Sequence, residues 1–273
     1  SLGYAYRTTP ESWGGKTFWA PEVVHYRDKF YMAFSCQPKG AETFSARICL
    51  AVSDRPQGPF RDARTPLFDY GWSAIDAHLF IDNGNKPYVY FAQVGVAGDP
   101  NAGESAGYMY GKIYGAALKE DMSGLAGEPV LCLKADQPWE TLKDGRSRAN
   151  EGAFVFRHVQ RYYMTYSANH YAEPNYGIGY ATAPSPLGPW TKNNDNPIVS
   201  KDLSQGISGP GHNSITASPD GRELFMVYHA HADVNRPSGI RTVNIDRLAF
   251  DDDGRLRLVG PTRTPQPLPS GTR

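Results

Sequence analysis

Apolar and polar positions alternate with a period of two, in short runs, along most of this 273-residue chain. Four stretches repeat one unit: VVHYRDKFYMAFS, HLFIDNGNKPYVYFA, FVFRHVQRYYMTYS and SITASPDGRELFMVYH. Each reads as an apolar strand, a polar turn and a second strand rich in Tyr, Phe, Met and Val, which is a hairpin signature. Helical periodicity is scarce, and only the segment from Ala117 to Met122 reads as a single helical turn.

The hairpins can be set in register. Trp19 stands 16 residues before Ser35, Asp76 stands 16 before Ala92, Glu151 stands 16 before Ser167, and His212 stands 17 before His229. The four residues are therefore expected at one equivalent position in successive units, at intervals of 57, 75 and 61 residues. A second repeat follows two of the hairpins. AVSDRPQGPF and ATAPSPLGPW place Ala, Pro and Gly-Pro-aromatic at matching offsets, so each reads as a strand ending in a Pro/Gly corner. Units of this length, with about four strands each, predict the blades of an all-β propeller occupying residues 1–273 as a single domain. A β-sandwich would not explain one special polar position per unit. In a propeller the innermost strand of each blade lines the central channel, so an indole, two carboxylates and an imidazole would converge at its mouth.

Charge narrows the partners. Lys plus Arg and Asp plus Glu are both 28, so no electrostatic footprint for nucleic acid or an anionic membrane exists, and a neutral ligand fits better. The 17 Tyr and 5 Trp supply flat rings with a polar tip, useful in cores and in wet clefts. Three cysteines, Cys36, Cys49 and Cys132, do not make a disulfide framework, and buried free thiols are expected. No apolar run approaches the ~18 residues of a membrane helix, and no signal peptide is read at Ser1.

Two carboxylates carry the chemistry. Glu151, in ANEGAFVF, suits a proton donor, because cleaving a glycosidic bond needs a carboxylic acid whose pKa burial or a neighbouring carboxylate has raised. Asp76, in WSAIDAHLF, is an acid at the start of an apolar strand, where an unpaired carboxylate is expensive; it is read as the group that tunes Glu151 and orients the sugar. Asn150 precedes Glu151 and is read as a substrate contact. His212, in SGPGHNS, would hold an ion or water or contact the substrate. His229 and His231 follow one strand later without the ligand set of a zinc site. Trp19 would stack on a sugar ring. Glu22, three residues on, is turned away by strand alternation and is read as structural. Arg241 would pair with one of the acids or donate to a sugar hydroxyl.

The segments FWAPEV, SDRPQGPF, IDAHLF-IDNG, NEGAFVF, SPLGPW and GPGHNS-YHAH together resemble glycoside hydrolase family 43, and the likeness runs from about Phe18 to the TPQPLPSG tail. The resemblance implies a five-bladed propeller that cleaves arabinose- or xylose-containing polysaccharides with inversion. It implies that Glu151 is the general acid, that Asp76 tunes its pKa, that Trp19 and Arg241 line the sugar site, and that His212 lies near a central water-bound ion, often calcium. No cofactor is needed for the chemistry itself. The substrate class favours secretion or a periplasmic location. The chain departs from the family in one respect. The family's general base is an Asp in a first blade upstream of FWAPEV, whereas only 18 residues precede Trp19 here and none is Asp. Four full blades are expected rather than five. Three readings of that difference compete: the sequence is a fragment of a normal enzyme, a second chain covers the open blade edge, or the protein binds sugar without hydrolysing it.

Overall fold

The computed structural model describes residues 3–103 and 107–272. In them sixteen strands form four antiparallel blades of four strands each, every blade a simple meander. Blade I holds β1 (Gly14–Tyr26), β2 (Lys29–Pro38), β3 (Arg47–Ser53) and β4 (Arg61–Arg64). Blade II holds β5 (Ser73–Ile81), β6 (Pro87–Gly95), β7 (Met109–Ala117) and β8 (Val130–Lys134). Blade III holds β9 (Ser147–His158), β10 (Arg161–Ala168), β11 (Gly177–Ala183) and β12 (Thr191–Lys192). Blade IV holds β13 (Gly211–Ala217), β14 (Leu224–His231), β15 (Arg241–Phe250) and β16 (Leu256–Val259). This is the propeller that the hairpin repeat predicts, with its four units as the inner halves of four blades.

Composition explains the layering. The second strand of each blade is packed on both faces, so β2 and β10 are buried almost without interruption and read as continuous apolar runs. The outermost strands are short or charged. β4 is RDAR and wholly exposed, and β12 has two residues, which blunts edges that would otherwise invite pairing. Both Gly-Pro-aromatic corners fall between the third and fourth strands of their blades, at Gly58-Pro59 and Gly188-Pro189, as the second repeat predicts. The segment around Ala117–Met122 is a turn after β7 rather than a helical one, with the Met122 N–H donating to the Lys119 carbonyl. The three thiols are free, and Cys36 and Cys49 are fully buried. Among the described residues, no helix is long and apolar enough to cross a membrane.

Apolar cores glue the blades face to face. Ala33, Ile48 and Leu50 of blade I meet Leu79, Val89 and Phe91 of blade II. Tyr90 and Ile113 of blade II meet Val155, Met164 and Tyr166 of blade III. Tyr163, Ile178 and Tyr180 of blade III meet Met226, Tyr228 and Leu248 of blade IV. The two ends of this stack differ. The outward face of blade I (Met32, Phe34, Ala51, Phe60) is covered by Tyr6 and Trp13 from the N-terminal segment. The outward face of blade IV leaves Val243, Ile245 and Val259 at 71, 51 and 58% exposure.

A parallel pairing between β7 and β9, from Met109↔Ser147 to Gly111↔Ala149, stitches blade II to blade III beside the start of the inner strands. That seam helps fix the two blades that carry Asp76 and Glu151.

Candidate active site

All four inner strands carry the same irregularity. Between Trp19↔Ser35 and Glu22↔Ala33, β1 advances three residues while β2 advances two. The same extra residue lies between Ile75↔Ala92 and His78↔Tyr90, between Glu151↔Ser167 and Phe154↔Thr165, and between Gly211↔His229 and Ser214↔Val227. These are β-bulges, which re-aim side chains and increase local twist. The residue after each paired position is left-handed: Ala20 (φ 44°), Asp76 (φ 58°), Gly152 (φ 58°) and His212 (φ 45°).

This corrects the register read from the sequence by one residue in two blades. Trp19 and Glu151 are structural equivalents, as expected. Asp76 and His212 instead match Ala20 and Gly152, because Ile75 and Gly211 take the paired position. The bulge supplies the missing offset, and all four stations still lie at the same end of the channel.

Two of the bulges are latched across blades. The Asp76 N–H donates to Ser35 Oγ at 3.0 Å, and the His212 N–H donates to Ser167 Oγ at 2.7 Å. Blade II has Ala92 where the other two have serine, so the equivalent Gly152 N–H has no hydroxyl to meet; it acts on the Asp76 carboxylate instead, favouring its charged form.

Asp76 and Glu151 therefore share one pocket. Withdrawal from water pushes the Glu151 carboxyl up to about 8, and the Asp76 charge adds to the rise; Tyr176 and the Arg241 charge oppose it. Burial also raises Asp76, against His212, Arg241 and the Gly152 N–H, all of which favour its charged form. The His212 ring is one-third exposed, with Nδ1 3.9 Å from Asp76 Oδ2. Glycine at 152 relieves the strain of a left-handed φ that Ala20, Asp76 and His212 bear at the equivalent stations, and it leaves room for the His212 ring, whose Cγ would stand 3.2 Å from a Cβ there.

Arg241 is exposed at the mouth. Its Nη1 lies 3.0 Å from His229 Nε2 and its guanidinium 5.2 Å from the Tyr171 ring centroid, so it reaches the acids by charge and not by a direct ion pair. Burial and the Arg241 charge push His229 down to about 3, which keeps that imidazole neutral. Trp19 is 45% exposed and stacks on Phe44, with ring centroids 5.7 Å apart. Glu22 is structural in its geometry. Its carboxylate holds His78 Nδ1 at 2.9 Å and accepts from the Leu79 N–H at 3.1 Å, tying blade I to blade II.

Asn150 does not belong to the site. Strand alternation turns it to the face opposite Glu151, where it is fully buried and accepts from Lys192 Nζ at 3.1 Å. Lys192 also pairs with the fully buried Glu140 at 2.6 Å, so Asn150 is part of the packing inside blade III.

Side chains of the described residues alone do not build a cation cage around His212, so an ion there would draw most of its ligands from water. Calcium takes six to eight oxygens. Here one imidazole and one carboxylate converge, and among the described residues no group of three His, Cys, Asp or Glu side chains is placed to hold a metal.

One residue of the pocket carried no sequence signal. Tyr176, buried just before β11, donates from its hydroxyl to Glu151 Oε1 at 2.7 Å. It is 25 residues from Glu151 and outside the hairpin repeat, so neither spacing nor register points to it.

A cavity of about 920 Å³ opens at the far end of the channel, lined by residues that include Phe154, Phe156, Ile215 and Phe250. It has no converging pair of carboxylates; Asp76 and Glu151 sit at the opposite end, at the mouth.

Comparison with known proteins agrees with this geometry. A solved thermostable family-43 glycoside hydrolase is 47% identical, superposes with a TM-score of 0.90, and is matched over 99% of this chain and 84% of its own. A xylosidase/arabinosidase of Bacteroides ovatus is 28% identical over 94% of this chain and 78% of its own length. A β-D-galactofuranosidase of Aspergillus niger is 27% identical over 79% of this chain, which spans 55% of that enzyme. The pattern that defines glycosyl hydrolases family 43 matches residues 3–256. With the propeller architecture, the paired carboxylates and that match over nearly its whole length, the chain belongs to glycosyl hydrolases family 43.

Proposed function

We propose that this chain is a glycosidase domain acting on arabinose- or xylose-containing oligosaccharides or polysaccharides, with Glu151 as its general acid. The observation that carries this reading is the carboxyl of Glu151, pushed up to about 8 beside Asp76 at an open channel mouth. An acid with that pKa is protonated near neutral pH and can give its proton to the leaving glycosidic oxygen. Asp76 raises the pKa through its charge and offers an acceptor for a sugar hydroxyl. Arg241 and the exposed face of Trp19 supply a donor and a stacking surface for a neutral ring. Relatives named as xylosidase/arabinosidase and as exo-α-(1→5)-L-arabinofuranosidase support the substrate class.

The test is hydrolysis of arabino- and xylo-oligosaccharides and of alkyl α-L-arabinofuranosides and β-D-xylosides, whose leaving groups are poor and need protonation, with Glu151→Gln as control. Turnover that collapses in the variant supports the reading; equal turnover in both removes Glu151 from the acid role. An alkyl galactofuranoside belongs in the same panel, given the Aspergillus relative.

One observation favours a second reading, sugar binding without hydrolysis. Inversion needs a second carboxylate to activate water ~6.5–9.5 Å from the acid. Among the described residues, Asp76 is the one carboxylate whose charge acts on Glu151, and it already serves as the tuning group. Calorimetry with arabino- and xylo-oligosaccharides separates the two: binding with no turnover favours the second reading, and turnover ends it.

A further inference from the structure

Tyr176 is held more tightly than a packing role requires. Its ring is buried and lies nearly parallel to the His229 imidazole, with centroids 5.7 Å apart and planes 9° apart. The backbone of Gly211 runs against its other atoms: a Cβ at 211 would stand 1.9 Å from Tyr176 Cε1. Gly211 therefore has to be glycine for Tyr176 to stay where it is. Its hydroxyl donates to Glu151 Oε1 at 2.7 Å, and the Ser167 hydroxyl acts on it from nearby, favouring its ionised form.

The polarity of this chain of bonds is fixed at one end. A backbone N–H can only donate, and the His212 N–H donates to Ser167 Oγ. The Ser167 proton is then free to point at Tyr176 Oη, which leaves the single Tyr176 proton for Glu151 Oε1. A carboxylic acid that accepts through Oε1 carries its own proton on Oε2. The relay thus begins at the bulge of blade IV, passes through blade III and ends on the acid.

We propose that Tyr176 is the positioning residue of Glu151: it occupies Oε1 and so confines the transferable proton to Oε2. Gly211 and His229 hold the ring in place, and Ser167 sets the direction of the hydroxyl. The inference rests on Glu151 being the reactive acid, and it gives that acid a single orientation.

The charged and titratable groups facing Glu151 are Asp76 from β5, Tyr176, Arg241 from β15, and His212 and His229 from β13 and β14. The test compares the parent protein with Tyr176→Phe, Ser167→Ala and Glu151→Gln, using carboxyl-labelled glutamate and difference infrared spectroscopy. The protonated Glu151 carbonyl band is the one missing in Glu151→Gln. In Tyr176→Phe this band should move to higher frequency, because its carbonyl oxygen has lost a donor. Its titration midpoint should also rise above the parent value, because the lost bond favoured the carboxylate. Ser167→Ala should move both in the same direction by less. Where the parent turns over substrate, Tyr176→Phe should lower kcat about tenfold or more with KM nearly unchanged. A band and midpoint unmoved in Tyr176→Phe, with melting temperature alone reduced, would overturn the proposal and leave Tyr176 as packing. The spectroscopic readout needs no turnover, so it separates positioning from packing at Tyr176 even in a chain without glycosidase activity.

Discussion

Glu22 and Glu151 are both glutamates on innermost strands, yet their surroundings give them opposite characters. Glu22 spans the junction of blades I and II and uses both oxygens: His78 and the Leu79 N–H answer its charge. His78 in turn contacts the Val155 carbonyl at 3.1 Å, so one acid sits at the end of a line crossing three blades. Glu151 spans the next junction and has one partner, Tyr176, while a second carboxylate stands in its pocket. A satisfied carboxylate is mortar; a carboxylate left short of donors beside a like charge keeps its proton and can give it away.

The largest effect that would break this comparison is on rate. Glu151→Gln should lower hydrolysis of substrates with poor leaving groups by ~10²–10⁴-fold while the protein stays folded. Glu22→Gln should leave the rate per folded molecule close to the parent. A Glu22 variant as inactive as the Glu151 variant would erase the distinction between the two acids.

Stability should respond in the opposite sense. Glu22→Gln removes the charge that His78 and Leu79 answer and should cost about 1–3 kcal/mol, read from urea denaturation. Glu151→Gln should stabilise the fold, and in a pH-dependent way. The pKa of Glu151 is raised from 4.5 to about 8, so the folded state holds a proton that the unfolded state has released across that window. Stability therefore falls as pH rises through it. The melting temperature of Glu151→Gln should exceed that of the parent at pH 8, and the gap should close near pH 4. A gap that is flat with pH would mean that Glu151 ionises without penalty.

The smallest predicted effect concerns the rim. Trp19→Ala should weaken oligosaccharide affinity by about tenfold or less, the scale of one aromatic contact, and leave the Glu151 titration unchanged. Calorimetry and the infrared midpoint read the two separately. A shifted midpoint would place Trp19 in the electrostatics of the pocket rather than on its rim.

Much of this was legible in the sequence. The hairpin repeat specified the blades because each blade buries the same alternating strand against its neighbour, and that requirement is written in side chains. The bulges were not legible. Their left-handed positions are filled by Ala20, Asp76, Gly152 and His212, four residues of different kinds; Gly, Asp and His tolerate that region better than most, but one such residue in a strand pattern does not announce a bulge. An insertion of one residue in the pairing changes register without changing composition, so Asp76 and His212 are offset by one from the position that counting assigns them. Asn150 shows the opposite effect: adjacency to Glu151 in the chain is not adjacency in the pocket. Glu22 is kept out of the pocket by its bonds to His78 and Leu79, because the bulge between Trp19 and Glu22 cancels the alternation that counting assigns. Tyr176 lies in the loop before β11 and reaches Glu151 only through the fold.

The repeated bulge has a consequence for how such a protein can change. Each inner strand offers a perch whose side chain leans into the channel while its neighbours two residues away remain committed to the cores between blades. The perch is one or other of the two adjacent bulge positions, the paired one for Trp19 and Glu151 and the left-handed one for Asp76 and His212, and together they hold indole, carboxylate and imidazole on one scaffold. Exchanging the occupant of one perch alters reactivity without disturbing the layers that keep the chain folded, so innovation in specificity and integrity of the architecture are inherited on separate sets of positions.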